Sequence, residues 1–127
     1  MNCNVLIVDD SPILRRAIRK VVVLAGILED RIHEAGNGQE ALDRLEQTSI
    51  DLVLLDLNMP IMDGEEFACR LREHPNLGDI TVVVVSTEAN KGRLDRMREL
   101  GVRAVLRKPF EPEDLCRLVS DLVGSRI

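Results

Sequence analysis

In the sequence Leu52-Val53-Leu54-Leu55-Asp56, four consecutive apolar residues lead directly into an acid. A strand that is apolar at every position is covered on both faces, which is typical of a parallel sheet between two layers of helices. Such a sheet brings the carboxyl ends of its strands to one edge, where ligands bind. The stretch therefore predicts a buried strand that delivers Asp56 to a functional edge.

Other apolar runs recur along the chain, and amphipathic stretches separate them. This alternation predicts an α/β fold in which a parallel sheet of five strands has five helices on its two faces. A chain of 127 residues is expected to form one domain. The predicted strands are Val5–Val8, Ile32–Ala35, Leu52–Leu55, Ile80–Val85 and Ala104–Leu106.

Several of the predicted helices have recognisable boundaries. Ser11 is a preferred N-cap residue, and Pro12 follows it at the first helical position, where the fixed φ of proline is suitable. Asn37 and Glu40 have the spacing of a capping box, and Asp63 precedes the third helix. These signals place the helices between the strands. The remaining boundaries are predicted at Pro75, Gly101 and Pro112.

Polar side chains follow the predicted strands at their carboxyl ends. Because these ends share one edge of a parallel sheet, we expect the side chains to converge. Clustered carboxylates repel one another, and a hard divalent cation such as Mg²⁺ removes that repulsion. The residues are Asp9 and Asp10 after the first strand, Asp56 after the third, Ser86 and Thr87 after the fourth, and Lys108 after the fifth.

A carboxylate beside a metal ion, a lysine and a hydroxyl is suited to accept a phosphoryl group. Lys108 can neutralise one phosphate oxygen, and Ser86 can donate a hydrogen bond to another. Each residue taken singly has a simpler explanation, since an acidic pair often caps a helix and a lysine before a proline usually lies in a surface loop. Their shared edge favours a site with Asp56 as the acceptor.

Four motifs resemble the receiver domain of bacterial two-component response regulators, and the likeness is strongest to the CheY-like receivers of chemotaxis. The motifs are Val8–Ser11, Leu55–Gly64, Val85–Ala89 and Arg107–Phe110. They occur in the family's order and extend over nearly the whole chain. The resemblance implies a flavodoxin-like (βα)5 three-layer sandwich with strand order 2-1-3-4-5, and a single receiver domain over residues 1–127.

The resemblance also implies Mg²⁺ as the cofactor and a role for each residue at the edge. Thr87, beside the switch hydroxyl in the same motif, is expected to belong to the catalytic set with Asp56, Ser86 and Lys108. The bond between Lys108 and Pro109 is commonly cis in the family. Gly64 and Pro60 belong to the loop after the acceptor, where a glycine permits a turn that other residues cannot make. The implied roles are Asp56 as phosphoacceptor, Asp10 as direct metal ligand, Asp9 as an acid that holds the metal through water, Asn58 as a carbonyl ligand, Ser86 as switch hydroxyl and Lys108 as phosphate-binding lysine.

Two further positions bear on the lifetime of the phosphoryl group. Asn58 lies two residues beyond the acceptor, and Glu88 lies two residues beyond the switch hydroxyl. In the family the residues at these positions govern the attack of water on the phosphoryl group. Because both side chains are polar and can orient water, the resemblance implies a short-lived phosphoryl group.

The output of the switch is expected to differ from the usual one. Val105 stands where CheY-like receivers carry an aromatic residue that swings inward, which puts the usual aromatic readout in question. Lys91, Arg93 and Arg96 lie on the fourth helix, where basic residues most simply form a solvated face. The resemblance implies that the fourth helix, fifth strand and fifth helix contact a downstream protein target, with a histidine kinase or phosphotransfer protein as phosphodonor.

Composition and charge exclude other kinds of partner. The net charge of −5 argues against direct binding to nucleic acid. The longest apolar stretch, Val21–Leu28, is too short to span a bilayer, and no signal-peptide pattern precedes it, so no membrane insertion is expected. Cys3, Cys69 and Cys116 lack metal-ligand spacing and are expected to be reduced thiols. We therefore expect a cytoplasmic protein.

Three functions compete on these observations. The first is a signalling switch whose output is a protein contact. The second is a receiver that serves a phosphorelay or belongs to a longer regulator with an effector domain. The third is a metal-dependent phosphatase with an aspartyl intermediate, but Asn58 occupies the position where such enzymes carry a second aspartate. We therefore expect a signalling receiver and no enzyme beyond its own phosphorylation and dephosphorylation.

Overall fold

The computed structural model describes residues 3–126, and in these residues five strands alternate with five helices. A short 3-10 helix, Glu29–Arg31, precedes the second strand. The strands are β1 (Val5–Val8), β2 (Ile32–Ala35), β3 (Leu52–Leu55), β4 (Thr81–Ser86) and β5 (Ala104–Arg107). The helices are α1 (Pro12–Leu24), α2 (Gly38–Gln47), α3 (Gly64–Glu73), α4 (Lys91–Glu99) and α5 (Pro112–Arg126).

All neighbouring strands of the sheet are parallel, and their order is β2-β1-β3-β4-β5, as the resemblance implied. The strand order reverses at β1, which lies between β2 and β3. Val8 pairs with Leu55 in register, so the residues that follow β1 and β3 leave the sheet at the same level. This is the point at which open α/β sheets bind their ligands.

The core has two layers, one on each face of the sheet. Alternate side chains of β1 enter different layers, with Val5 and Ile7 in one cluster and Leu6 and Val8 in the other. The first cluster contains the buried faces of α1 and α5, and the second contains those of α2 and α3. Because both faces are covered there, β1 and β3 are apolar and buried at every position, whereas the edge strand β2 contains His33 and Glu34. No helix within residues 3–126 is both long and apolar enough to cross a membrane.

Most of the predicted boundaries are confirmed. Ser11, Asn37 and Asp63 cap α1, α2 and α3, and each side chain accepts a hydrogen bond from a backbone N–H of the first helical turn. Gly101 follows α4 with a φ of 84°, the left-handed conformation expected after a helix. The structure starts and ends β4 one residue later than predicted, so that Ser86 belongs to the strand.

The prediction for Gly64 was right about the residue and wrong about the reason. Gly64 does not have a positive φ, whereas the exposed Ile61 in the same loop does, at 70°. Glycine is needed at position 64 because a Cβ there would lie 2.5 Å from the backbone oxygen of Asp56 and 2.8 Å from Leu57 Cδ2. The start of α3 therefore packs directly on the backbone of the acceptor loop.

Replacing Gly64 by Ala should lower the free energy of unfolding by about 2 kcal/mol, since the added methyl group must displace the Asp56–Leu57 backbone. Urea denaturation measures the change. Gly78→Ala is the matched control, because a Cβ at Gly78 meets no atom within 4 Å, and this variant should stay within about 0.5 kcal/mol of the parent. Equal stabilities for the two variants would contradict the packing described.

Candidate functional site

Three carboxylates meet where β1 and β3 end. Asp9 and Asp10 follow β1, Asp56 follows β3, and one carboxylate oxygen from each lies within 4.8 Å of the other two. Asp9 and Asp56 are buried, whereas Asp10 is exposed. The sequence therefore predicted this convergence correctly, because the register of Val8 with Leu55 carries Asp9 and Asp56 to the same level.

Lys108 reaches this acidic cluster from the end of β5. Its Nζ lies 2.7 Å from Asp9 Oδ2 and 3.8 Å from Asp56 Oδ2, and its side chain is only 11% exposed. The backbone N–H of Lys108 donates to the carbonyl oxygen of Ser86, which fixes the loop against β4. The Lys108–Pro109 peptide bond is cis, as the resemblance implied.

Burial dominates the electrostatics of Asp56. Its Oδ1 accepts a hydrogen bond of 2.8 Å from the N–H of Leu57. Burial raises the pKa of Asp56, and the nearby charge of Asp9 raises it further, against the opposing effects of Lys108, the Ser86 hydroxyl and the Asn58 N–H. The ionised carboxylate is thus less favourable here than in water.

The donor set fits a hard divalent cation. Three carboxylates lie together, and Lys108 is the cation placed against two of them, so a divalent cation would supply positive charge that the acids otherwise lack. The ligand atoms are all oxygens, and one acid is exposed and so can be reached from solvent. Mg²⁺ favours such oxygen ligands and usually keeps some of its waters, as the exposed side of this site would allow.

The end of β4 contributes a hydroxyl on the same edge. Ser86 is buried, and its Oγ accepts a hydrogen bond of 3.2 Å from the N–H of Glu88. Thr87 is exposed, so the structure places it at the solvent side of the turn. The cap of α4 is Asn90, whose Oδ1 accepts from the N–H of Arg93 at 2.9 Å.

Arg93 lies elsewhere than the sequence suggested. The sequence predicts a basic surface shared with Lys91 and Arg96, but the guanidinium of Arg93 contacts the loop after β3 and the turn after β4. Its Nη1 lies 2.6 Å from Asn58 Oδ1 and 2.6 Å from Glu88 Oε1. The hydrogen bond from Arg93 is the main reason that the pKa of Glu88 is lowered. No motif signalled this contact, because it depends on where α4 begins.

The other output positions lie away from the acidic cluster. Lys91 and Arg96 are exposed on α4, where Lys91 Nζ is 3.4 Å from Asp95 Oδ2 and Arg96 Nη2 is 3.5 Å from Cys69 Sγ. Val105 lies on β5 beside Val84 and packs against the same core cluster as α2 and α3. It is partly buried.

Comparison with known proteins gives a consistent family. A sequence model of the response regulator receiver domain matches residues 5–120. The chain is 32% identical to the chemotaxis protein CheY homolog of Campylobacter jejuni over 123 residues, which is 96% of this chain and 93% of that protein. It is 36% identical to the nitrate/nitrite response regulator protein NarL of Escherichia coli over 90% of this chain but only 51% of NarL.

A solved structure supports the same fold. The chemotaxis protein CheY4 of Vibrio cholerae, crystallised at low pH, superimposes with a TM-score of 0.85 at 28% sequence identity. The superposition covers 95% of this chain and 98% of the Vibrio cholerae chain. The likeness therefore extends over nearly the whole of this chain.

Replacing Asp56 by Asn should raise the free energy of unfolding by about 1 kcal/mol at neutral pH in EDTA, because it removes a buried charge. Since the pKa of Asp56 is raised by folding, the folded state binds its proton more tightly than the unfolded state does. The ionised Asp56 carboxylate therefore destabilises the parent fully above the folded pKa. This effect, and with it the advantage of Asp56→Asn, disappears as the pH falls through the folded pKa. Urea denaturation of parent and variant from neutral to acidic pH measures the difference.

Asp121→Asn, an exposed change on α5, is the matched control and should follow the parent at every pH. An Asp56→Asn variant that is less stable than the parent at neutral pH would show that the buried charge is not a cost.

Proposed function

Since this chain belongs to the response regulator receiver family, we propose that it is a phosphorylation-dependent switch in which Asp56 accepts the phosphoryl group. The observation that carries the proposal is the convergence of Asp56 with Asp9, Asp10 and Lys108 at one sheet edge. The chain is the receiver of a two-component response regulator, and we propose that residues 1–127 act as a single receiver domain.

The two oxygens of Asp56 have different surroundings, which favours one as the nucleophile. Oδ1 is held by the N–H of Leu57, while Oδ2 faces Lys108. We assign the attack to Oδ2, which forms a bond to phosphorus as the bond between phosphorus and the donor's histidine nitrogen breaks. The electron pair stays on the imidazole, which then takes up a proton. A histidine kinase or a phosphotransfer protein is the proposed donor.

Protein groups are placed to receive the charge of the transferred phosphoryl group. Lys108 sits between Asp9 and Asp56, so that its ammonium group can turn from Asp9 towards a phosphoryl oxygen. The Ser86 hydroxyl can donate to a second oxygen. The acids at positions 9, 10 and 56 would hold Mg²⁺ together with the backbone carbonyl of Asn58, and the ion would draw negative charge from the phosphoryl oxygens.

The proposed output follows from the movement of Ser86 towards the phosphoryl group. Such a movement shifts the turn after β4 and hence α4, in which Met97 is the one fully buried residue among those described, with Leu94 partly buried against the same core cluster. Because Val105 replaces the usual aromatic residue, the change has to pass through the backbone and the packing of α4. The phosphoryl group favours the shifted state only by the extra contacts it makes there. We propose that the α4-β5-α5 surface, including Lys91 and Arg96, then binds a downstream protein in the cytoplasm.

A second arrangement is favoured by the match to NarL. This chain spans about half the length of NarL, so a receiver of this kind also occurs within longer regulators. The same site would then serve a phosphorelay or control an attached effector domain. The chemistry at Asp56 is the same in both arrangements.

Incubation with a small phosphodonor and Mg²⁺ should add one phosphoryl group to the parent chain, and Asp56→Asn should abolish the addition, because the nucleophilic oxygen is lost. Intact-mass spectrometry follows the uptake. Asp43→Asn is the matched control and should be labelled like the parent, since Asp43 lies on α2 and contacts Gln39. Stable labelling of Asp56→Asn would assign the acceptor to another residue.

Replacing Asp10 by Asn should weaken Mg²⁺ binding at least about tenfold, because one negative ligand of the cluster is lost. Calorimetry is the suitable measurement, since the chain has no Trp or Tyr to report binding by fluorescence. A variant with Cys3, Cys69 and Cys116 replaced by Ala should bind Mg²⁺ like the parent. Loss of binding in that variant, or full binding in Asp10→Asn, would refute the carboxylate site.

A further inference from the structure

One guanidinium group joins three segments around the mouth of the site. Arg93 Nη1 donates to Asn58 Oδ1 in the loop after β3 and to Glu88 Oε1 in the turn after β4, each at 2.6 Å. Its Nη2 donates to the carbonyl oxygen of Leu57 at 3.2 Å. Arg93 itself belongs to the first turn of α4. The side chain is 22% exposed, and that of Glu88 is 18% exposed.

Glu88 and the Arg93 guanidinium each make further polar contacts in this arrangement. The second oxygen of Glu88, Oε2, accepts hydrogen bonds of 3.1 Å from the N–H groups of Ala89 and Asn90. The guanidinium also has the carboxylates of Asp63 at 3.6 Å and Glu65 at 3.9 Å. An isolated surface ion pair contributes little, but several charge-assisted bonds to one planar group fix its geometry. The hydrogen bonds from Arg93 to Asn58 and Glu88 therefore have a defined geometry at the site.

The two bridged side chains are next to the reacting groups. Asn58 follows Asp56 by two residues, and its N–H acts on the Asp56 carboxylate. The N–H of Glu88 donates to the Ser86 hydroxyl. Hydrolysis of an aspartyl phosphate requires water to attack phosphorus while the bond to Asp56 oxygen breaks and the water proton is released. A polar oxygen that orients the water or accepts its proton accelerates this step.

In the observed arrangement, Arg93 occupies the oxygens of Asn58 and Glu88 that could orient such a water. The Asn58 oxygen and one Glu88 oxygen bind Nη1, and the other Glu88 oxygen binds backbone N–H groups. We propose that Arg93 is a positioning residue that prolongs the life of the phosphoryl group by holding Asn58 and Glu88 away from the attacking water. The inference rests on the proposed function, and it concerns only how fast the phosphoryl group is lost.

The test is the rate at which the phosphorylated full chain loses its phosphoryl group in Mg²⁺ after the phosphodonor is removed. Arg93→Ala should lose it roughly five to ten times faster than the parent, because Asn58 and Glu88 become available to water. Arg98→Ala is the matched control, since Arg98 is exposed on the same helix and contacts Asp95. It should lose the phosphoryl group at the parent rate.

A double-mutant cycle separates positioning from direct shielding of the phosphoryl group. In a background with Asn58→Ala and Glu88→Ala, the further change Arg93→Ala should leave the rate of loss unaltered. The same acceleration in that background would show that Arg93 acts without these two residues and would overturn the proposal. So would a rate for Arg93→Ala that equals or falls below the parent rate.

Uptake and loss of the phosphoryl group are measured separately, which distinguishes the two proposals. A parent chain that takes up no phosphoryl group overturns the proposed function and the role of Arg93 together. Normal uptake with equal rates of loss in the parent and Arg93→Ala overturns the role of Arg93 alone.

Discussion

Three carboxylates are crowded together at the ends of β1 and β3. Repulsion alone would push Asp9, Asp10 and Asp56 apart, yet they stay within reach of one ion because strand register fixes their backbones. The free energy for this comes from the two apolar layers that clamp the sheet on both faces. Burial and the nearby charge of Asp9 raise the pKa of Asp56, because Lys108 offsets only part of the cost of holding ionised carboxylates together.

Strand order determines which side chains can contact the three carboxylates. Because β4 and β5 follow β3 in the sheet, their ends lie on one side of the acids, and Ser86 and Lys108 approach from there. The hydrogen bond from the N–H of Lys108 to the Ser86 carbonyl keeps the two loops together. Strand β2 lies on the other side of β1 and contributes Glu34, which binds Arg15 and Arg19. Two of the basic residues of α1 are thus tied to the fold.

Strong local signals let the sequence predict most of this arrangement. Short apolar runs such as Leu52–Leu55 are typical of buried strands, and a residue such as Asp63 is typical of a helix N-cap, so both elements were predicted. The acids and Lys108 were found because parallel strands share one edge. The contacts of Arg93 were not predicted, since α4 fully buries only Met97 among its described residues, with Leu94 partly buried, and so narrow an apolar stripe does not show where the polar side chains lie. The positive φ of Ile61 was also not predicted, because isoleucine rarely adopts this conformation and is not a turn signal.

The limited apolar anchoring of α4 supports our proposal that this helix is the element that a phosphoryl group moves. Arg93 links the first turn of α4 to Asn58 and Glu88. At the other end of α4, Arg72 of α3 donates to the backbone oxygens of Leu100 and Gly101, which follow the last turn of α4. Hydrogen bonds of this kind can be replaced by bonds to water at a small net cost in free energy. Exposing a buried apolar face costs more. Because arginines hold α4 at both ends, we expect the helix to shift when the charge near one end changes. The end held by Arg93 is the one beside Asp56, the proposed phosphoryl acceptor.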